Sequence, residues 1–220
     1  MRLAATVILV RDRPAGGFEI LMVRRSARSS FAPDAFVFPG GTVEASDYDR
    51  LLEGWSTDRI SLEFRAEIPE ALPTSVPSVG ARDASALIAA AVRELSEEAS
   101  IVVEPQDLSL FSHWITPPTE PRRYDTYFFL ARAPRDARGV ADALETHDAR
   151  WFDPREALES FARGELHLVY PTIKHLERLR AFDTAEATIA FGRAKPIRTI
   201  MPDRSPAEGF TLPASLENAW

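Results

Sequence analysis

The chain has 220 residues, of which 45% are hydrophobic and 27% charged, values typical of one globular domain that exclude a disordered or fibrous chain. Acidic residues outnumber basic ones 33 to 26, whereas nucleic-acid and membrane-surface binders usually carry net positive charge. Cysteine is absent, which excludes disulfides and thiolate metal sites. No apolar run reaches the roughly 18–20 residues that span a bilayer. We therefore expect a cytoplasmic chain with neither a nucleic-acid nor a membrane partner.

The N-terminal half predicts strands followed by one long helix. Apolar and β-branched runs predict strands over 3–10, 18–24 and 36–38, the first two forming a hairpin. A polar, proline-containing stretch over 46–82 predicts a partly helical excursion. Asp83 is the predicted N-cap of a helix over 84–99, which contains no glycine or proline.

The C-terminal half alternates between the two element types. It predicts strands over 108–116, 124–131 and 149–152, and helices over 154–163 and 171–182. Proline and glycine recur over about 195–220, which predicts an extended tail. The mixture of elements predicts an α/β (α+β) fold in a single domain spanning 1–220.

Three glutamates crowd one side of the long predicted helix. At about 100° per residue, Glu94, Glu97 and Glu98 share an arc of about 100°, and Glu98 lies at the edge of the apolar stripe. These like charges repel one another, and carboxylates are unfavourable near a helix C-terminus. A divalent cation such as Mg²⁺ or Mn²⁺ would relieve both effects. The alternative is a solvated acidic face, which is the commoner case for such a helix taken alone.

A glycine turn precedes this helix and favours the metal interpretation. Phe38 ends a predicted strand, and Pro39-Gly40-Gly41 follow it. Glycine leaves main-chain carbonyls accessible to a metal, although a plain turn is the commoner role of such a tripeptide.

Together, the turn and the helix resemble the Nudix box, in which Gly, five residues, Glu and seven residues precede Arg-Glu-apolar-any-Glu-Glu-any-Gly-apolar. Gly41 takes the first position, and residues 93–101 match the second half at all but one position. Asp47 stands where Glu is usual, and Ser100 stands where Gly is usual. Residues 48–92 replace the usual seven, which is an insertion of 38 residues.

The resemblance implies a fold, a reaction and a site. The fold is a Nudix-like α/β/α sandwich with a mixed β-sheet between helices, and the reaction is hydrolysis of the pyrophosphate bond of a nucleoside diphosphate derivative. The cofactor is Mg²⁺ or Mn²⁺, held by Glu94, Glu97, Glu98 and the Gly41 carbonyl. Arg93 is expected to hold Asp47 in a bidentate pair. The expected partner is a small-molecule nucleotide substrate. Because Nudix proteins often form dimers, the resemblance also implies a possible homodimer.

The insertion, at about 48–82, is similar to that of the coenzyme A diphosphatase branch of the family. A separate coenzyme A signature is half matched, because Ser30 and Asp34 replace its later Arg and Gly. Arg25 and Phe38 stand at matching positions and are candidate substrate contacts. Coenzyme A or an acyl-coenzyme A is the first substrate interpretation. The alternatives are another nucleotide, such as a dinucleotide or a nucleotide sugar, and a Nudix-fold ligand sensor without turnover.

Some other acidic residues and the insertion are weaker candidates for roles at the site. Glu145 could supply a loop base, and Glu120 and Asp125 lie in the second loop-strand region, although a solvated carboxylate is the commoner role for each. The inserted segment is a hypothetical lid, because both its ends lie close to the chemistry. The four histidines show no metal-ligand spacing and are assigned no role.

Overall fold

The computed structural model describes residues 1–27, 32–50, 79–140, 146–205, 207, 209–214, 216 and 220. Ser30, Glu145 and most of the predicted lid, residues 51–78, lie outside this part of the chain. The strands are β1 (Arg2–Asp12), β2 (Phe18–Arg25), β3 (Phe36–Val37), β4 (Gly40–Thr42), β5 (Ser109–Ile115), β6 (Tyr124–Arg132), β7 (Thr146–Phe152), β8 (Thr199–Ile200), β9 (Asp203–Ser205) and β10 (Gly209–Thr211). The helices are α1 (Ala45–Asp49), α2 (Ala81–Ala99), α3 (Pro154–Ala162), α4 (Tyr170–Leu179) and α5 (Ala185–Ala194), with a 3₁₀ turn at Pro105–Asp107.

The larger sheet is mixed and follows the order β3-β2-β1-β6-β5-β8. Strand β1 pairs parallel with β6, and β5 pairs parallel with β8. The other pairings in this sheet are antiparallel, including β4 beside β1 and β7 beside β2. Strands β9 and β10 form a separate hairpin.

Helices cover both faces of this sheet. Apolar residues of α2, among them Leu87 and Leu95, pack on one face against alternate residues of β1 such as Val7. The opposite face packs against α3, α4 and α5 through residues such as Leu176 and Ile189. The predicted α/β/α sandwich is therefore confirmed. Among the described residues, none of the helices combines the length and hydropathy required for a membrane span.

The predicted start of the long helix is wrong by a few residues. Helix α2 begins at Ala81 with Gly80 as its N-cap, so Asp83 lies in the first turn. A carboxylate is favourable in both positions, because each lies near the positive end of the helix dipole. The Asp83 carboxylate accepts a hydrogen bond from the Tyr48 hydroxyl at 3.0 Å, which joins α2 to α1.

Helix α5 was not predicted from the sequence, although it carries a start signal. The Thr184 hydroxyl caps it by accepting a hydrogen bond from the Ala187 N–H at 3.1 Å. The chain beyond α5 then returns to the sheet, where β8 adds to the edge of β5. His113 links this strand to its neighbours, since its ring bonds to the Thr199 hydroxyl on β8 and to Asp125 on β6.

A buried histidine lies in the core on the α4 side of the sheet. His175 is fully buried, and its Nδ1–H donates to the Pro171 carbonyl at 2.6 Å. Its Nε2 therefore accepts from the Ser112 hydroxyl, also at 2.6 Å. Burial lowers the pKa of His175 to about 3, and the positive charge of Lys195 acts in the same direction. The side chain is held neutral with both ring nitrogens paired.

We expect this histidine to make the fold sensitive to acid. In the unfolded chain it takes up a proton near its ordinary pKa of about 6.5, but in the folded chain only near pH 3. Stability is therefore lost as the pH falls from about 6.5 towards 3, by about 1.4 kcal/mol per pH unit from this residue. Urea unfolding between pH 6 and pH 4.5 should show this extra slope in the wild type but not in His175→Gln. An equal slope in both proteins would contradict the prediction, and exposed His167→Gln is the matched control.

Candidate functional site

The glycine turn lies against the first strand of the sheet. Strand β4 pairs with β1 so that Gly41 lies opposite Ala5 and Gly40 opposite Thr6. A Cβ on Gly40 would lie 2.4 Å from the Ala5 carbonyl oxygen, and one on Gly41 would lie 2.1 Å from Glu94 Oε1. Gly40 therefore requires glycine, because the clash is with backbone atoms, whereas a side chain at Gly41 would displace the Glu94 carboxylate. The turn and this carboxylate of α2 lie in direct proximity.

Arg93 is the centre of a buried ion network. Its Nε and Nη2 donate to the two carboxylate oxygens of Asp47 at 3.0 and 2.9 Å, which is a bidentate pair. Its Nη1 donates to Glu94 Oε1 at 2.9 Å and to Glu97 Oε2 at 3.0 Å. A fifth bond from Nη2 reaches the Thr42 carbonyl at 3.2 Å. One guanidinium therefore holds α1, α2 and β4 together.

Helix α1 carries Asp47, which is one methylene shorter than the glutamate of the family pattern and still reaches Arg93. Asp47 Oδ2 also accepts a hydrogen bond from the Glu44 N–H at 2.9 Å, which fixes the carboxylate at the start of the helix. Burial favours the neutral carboxyl, but the bonds from Arg93 and Glu44 outweigh it, so the pKa of Asp47 lies below its ordinary value. The bond to Asp47 raises the pKa of Arg93, against the effect of burial. Both groups are charged, although they lie inside the protein.

The three glutamates of α2 differ in environment as the helical periodicity predicts. Glu98 and Glu94 are only 5% and 8% exposed, whereas the side chain of Glu97 is 58% exposed. Glu98 Oε2 accepts a hydrogen bond from the Gly40 N–H at 2.9 Å, which connects α2 to the glycine turn. Arg93 neutralises part of the repulsion between Glu94 and Glu97. The structure thus brings together all the residues predicted for the metal and the chemistry.

In this arrangement no three acidic or histidine side chains of the described residues form a ready metal-binding group. The glutamates instead use oxygens to accept bonds from Arg93 and Gly40. The donor set still suits Mg²⁺ or Mn²⁺, because two buried carboxylates and a third exposed one lie beside a glycine turn on one cavity wall. A side chain at position 41 would occupy the space that the Glu94 carboxylate now fills.

The site opens into a cavity of about 570 Å³. Both predicted substrate contacts, Arg25 and Phe38, line this cavity, as do Arg2 and Tyr124. Alternation along β6 places Tyr124, Thr126 and Phe128 on one side of the strand, a signal from which this wall could have been predicted. The residues that line the cavity are Arg2, Ala4, Thr6, Arg25, Val37, Phe38, Gly40, Gly41, Thr42, Glu44, Arg93, Glu94, Glu97, Glu98, Thr116, Tyr124, Thr126, Phe128, Val169, Pro171 and Thr172.

The described alternative acids have partners away from this cavity. Asp125 is buried against the His113 ring. Glu120 forms an ion pair with Arg204 of the tail hairpin. Neither is among the residues that line the cavity, so the structure favours a structural role for both.

Ser100 and Asp34, which stand where the family patterns have glycine, both have a positive φ. Ser100 ends α2 with φ 55° and ψ 32°, in the left-handed region. Its N–H donates to the Ser96 carbonyl at 3.0 Å, and the Ile101 N–H reaches the Leu95 carbonyl, as in a Schellman cap. Asp34, which replaces the glycine of the coenzyme A signature, has φ 60°. Aspartate is among the residues that tolerate this region.

We expect Ser100→Gly to stabilise the protein by about 1 kcal/mol, because glycine adopts this conformation without the Cβ clash. The free energy of unfolding in urea measures the effect. Ser85→Gly, inside α2, is the matched control and should destabilise by about 0.5 kcal/mol. An unchanged or lower stability of Ser100→Gly would show that the serine hydroxyl compensates for the backbone.

Comparison with known proteins identifies the family. The model described as the NUDT19 Nudix domain matches residues 1–107, and the NUDIX domain model matches residues 75–172. The two overlap and together span the glycine turn, α2 and strands β1 to β7. The chain belongs to the Nudix hydrolase family. The resemblance drawn from Gly41 and residues 93–101 is thereby confirmed, as is the predicted enzyme class, a Nudix pyrophosphohydrolase.

Similar Nudix proteins include curated relatives and solved structures. "Putative nudix hydrolase 7" of Caenorhabditis elegans is 26% identical over 90% of this chain and 69% of its own length. "Acyl-coenzyme A diphosphatase NUDT19" of Xenopus laevis is 24% identical over 75% of this chain, which spans only 60% of that protein. The crystal structure of a Nudix hydrolase from Alicyclobacillus acidocaldarius is 26% identical, with a TM-score of 0.65 over 86% of this chain and 96% of that one.

Proposed function

We propose that the chain, as one Nudix hydrolase domain over 1–220, hydrolyses the pyrophosphate bond of coenzyme A or an acyl-coenzyme A. The observation that carries the proposal is the buried Arg93 network, which fixes Asp47, Glu94 and Glu97 beside the glycine turn. Arg93, Glu94, Glu97 and the two glycines line a cavity of about 570 Å³. The acyl-coenzyme A substrate is supported by the similarity to "Acyl-coenzyme A diphosphatase NUDT19" of Xenopus laevis. It is supported further by the half-matched signature around Arg25 and Phe38.

In this proposal Glu94, Glu97, Glu98 and the Gly41 carbonyl would hold Mg²⁺ or Mn²⁺. The cation, when bound, supplies positive charge that neutralises the two adjoining phosphates. Arg93 keeps Glu94 and Glu97 in place, and Asp47 in turn keeps Arg93 in place. Arg93 and Asp47 therefore act as positioning residues in this scheme.

The reaction replaces one P–O bond by another. The oxygen of a water molecule attacks one phosphorus, and the bridging oxygen leaves with its electron pair on the other phosphate. We assign the proton of this water to a carboxylate of the α2 cluster, because these acids lie at the cavity wall. Two phosphate-bearing products result.

A substrate panel tests the proposal. Coenzyme A, an acyl-coenzyme A, a dinucleoside polyphosphate and a nucleotide sugar are incubated with Mg²⁺ or Mn²⁺, and the phosphate-bearing products are identified. We expect the highest kcat/KM with coenzyme A or its ester, and no turnover when a chelator removes the metal. A preference for another nucleotide would refute the coenzyme A substrate, and no turnover of any compound would favour a ligand sensor.

A further inference from the structure

Two parallel strands, β1 and β6, supply one wall of the catalytic cavity, which we call the strand wall. Alternate residues of a strand point to the same face of a sheet. The strand wall is formed by Arg2, Ala4 and Thr6 of β1 and by Tyr124, Thr126 and Phe128 of β6. Arg2 is the charged member of this set, and it differs in sign from the glutamates that α2 contributes to the same cavity.

The side chain of Arg2 is held at the glycine turn. Strand β4 pairs with β1 so that Thr42 lies opposite Ala4. Arg2 Nη2 donates to the Thr42 hydroxyl at 3.1 Å, and the Thr42 carbonyl accepts from Arg93 Nη2 at 3.2 Å. Thr42 directly follows Gly41, whose carbonyl is a proposed metal ligand. The guanidinium of Arg2 is therefore fixed at the edge of the proposed metal site.

Three arginines of the described residues line the cavity, and two of them use their charge differently. Arg93 is buried, and its guanidinium binds the carboxylates of Asp47, Glu94 and Glu97. Arg2 is exposed, and within the described ranges its side chain bonds only to the neutral Thr42 hydroxyl. A guanidinium has five N–H donors. Most of the donors of Arg2, and its whole charge, thus remain available to an anion in the cavity.

The chemistry proposed for this cavity requires positive charge beside the pyrophosphate. Both phosphates are negative, and the carboxylates of α2 repel them wherever no cation lies between. A guanidinium matches two phosphate oxygens at once through its planar pair of N–H groups. Arg2 supplies this charge next to the glycine turn without belonging to the carboxylate cluster.

We propose that Arg2 binds the pyrophosphate group of the substrate and stabilises the charge that develops on the departing phosphate. The bridging oxygen leaves with its electron pair, so that phosphate becomes more negative in the transition state. A donor that is already in place has its largest effect there. The proposal rests on the proposed function, since the group that Arg2 binds is the one that is hydrolysed.

Arg2→Gln tests this contact with coenzyme A, dephospho-coenzyme A and the rest of the substrate panel. We expect kcat/KM to fall about a hundredfold for every compound that the wild type hydrolyses, because they share the pyrophosphate linkage. Arg2→Lys should recover part of the loss, since it keeps the charge but not the planar pair of donors.

The matched control is Arg24→Gln, which should leave kcat/KM unchanged. Arg24 is also an exposed strand arginine, but it pairs with Asp34 and does not line the cavity. An undiminished rate in Arg2→Gln would overturn the proposal. A loss with coenzyme A but not with dephospho-coenzyme A would also overturn it, because Arg2 would then bind the phosphomonoester by which these two compounds differ.

A binding measurement separates this proposal from the proposed function. The probe is an ADP analogue in which a methylene group replaces the bridging oxygen, titrated by calorimetry in Mg²⁺. We expect about tenfold weaker binding in Arg2→Gln than in the wild type or Arg24→Gln. Equal affinity of the three proteins, or binding by none of them, would overturn the contact even if the enzyme hydrolyses coenzyme A. Weaker binding in Arg2→Gln, when the wild type hydrolyses none of the panel, would support the contact and refute the proposed reaction.

Discussion

Replacing Glu98 by glutamine is expected to lower kcat by about a thousandfold, the scale of a lost acid–base or charge-stabilising group, while the fold stays intact. Glutamine has the same shape and can still accept the hydrogen bond that Glu98 receives from the Gly40 N–H. The variant removes only the negative charge from a side chain that is 5% exposed. Steady-state kinetics with the best substrate of the panel, at saturating Mg²⁺ or Mn²⁺, measures the loss.

The matched control for this change is Glu104→Gln. Glu104 is an exposed glutamate shortly after α2 and does not line the cavity, so its loss should leave kcat unchanged. Urea unfolding of both variants should resemble that of the wild type. An undiminished rate in Glu98→Gln would remove Glu98 from the mechanism, whatever the two stability measurements show.

Replacing Arg93 by methionine is expected to cost about 3–5 kcal/mol of stability, the scale for removing one partner of a buried ion pair. The side chain of Asp47 is fully buried, and that of Glu94 is 10% exposed, so both carboxylates would lose their main partner. The free energy of unfolding in urea, measured in a chelator so that no cation substitutes for the guanidinium, gives the effect. The double variant Asp47→Asn/Arg93→Met should recover part of the loss.

Arg163→Met is the matched control, since its partner Glu165 is on the surface and both side chains are more than half exposed. Exposed pairs contribute little, so that variant should unfold almost as the wild type does. If Arg93→Met matched this control, the Arg93 network would not be a structural centre of the site.

Helix α2 and the side chains that it turns towards the core could be predicted from the sequence because its periodicity carries the information. The apolar stripe of α2 fixes which glutamates approach the core, and Glu98 at the stripe edge is indeed buried while Glu97 is exposed. The bidentate pair between Arg93 and Asp47 follows from the family pattern despite the shorter acid and the long insertion. The structure forms it because α1 brings Asp47 to the turn.

The far wall of the cavity could not be predicted in this way. Thr172 lies in another helix, and nothing in its local sequence marks a buried hydroxyl, because the burial arises from packing between distant elements. His175 is similar, since the rings around it come from separate strands and from the tail, as its contacts with Phe128 and Trp220 show. Such convergence depends on tertiary structure, for which local patterns give no signal.

The position of β8 limits how copies of the chain can meet. An unpaired strand at the border of a sheet invites the backbone of another molecule, and short, proline-flanked strands discourage it. Strand β8 pairs with β5 and contains only Thr199 and Ile200. Pro202 lies two residues after the end of this strand. A homodimer stays a prediction. If β8 remains in place, we expect the interface of such a dimer to be formed by side chains and helices. The sheet would then not continue from one copy to the next past β8.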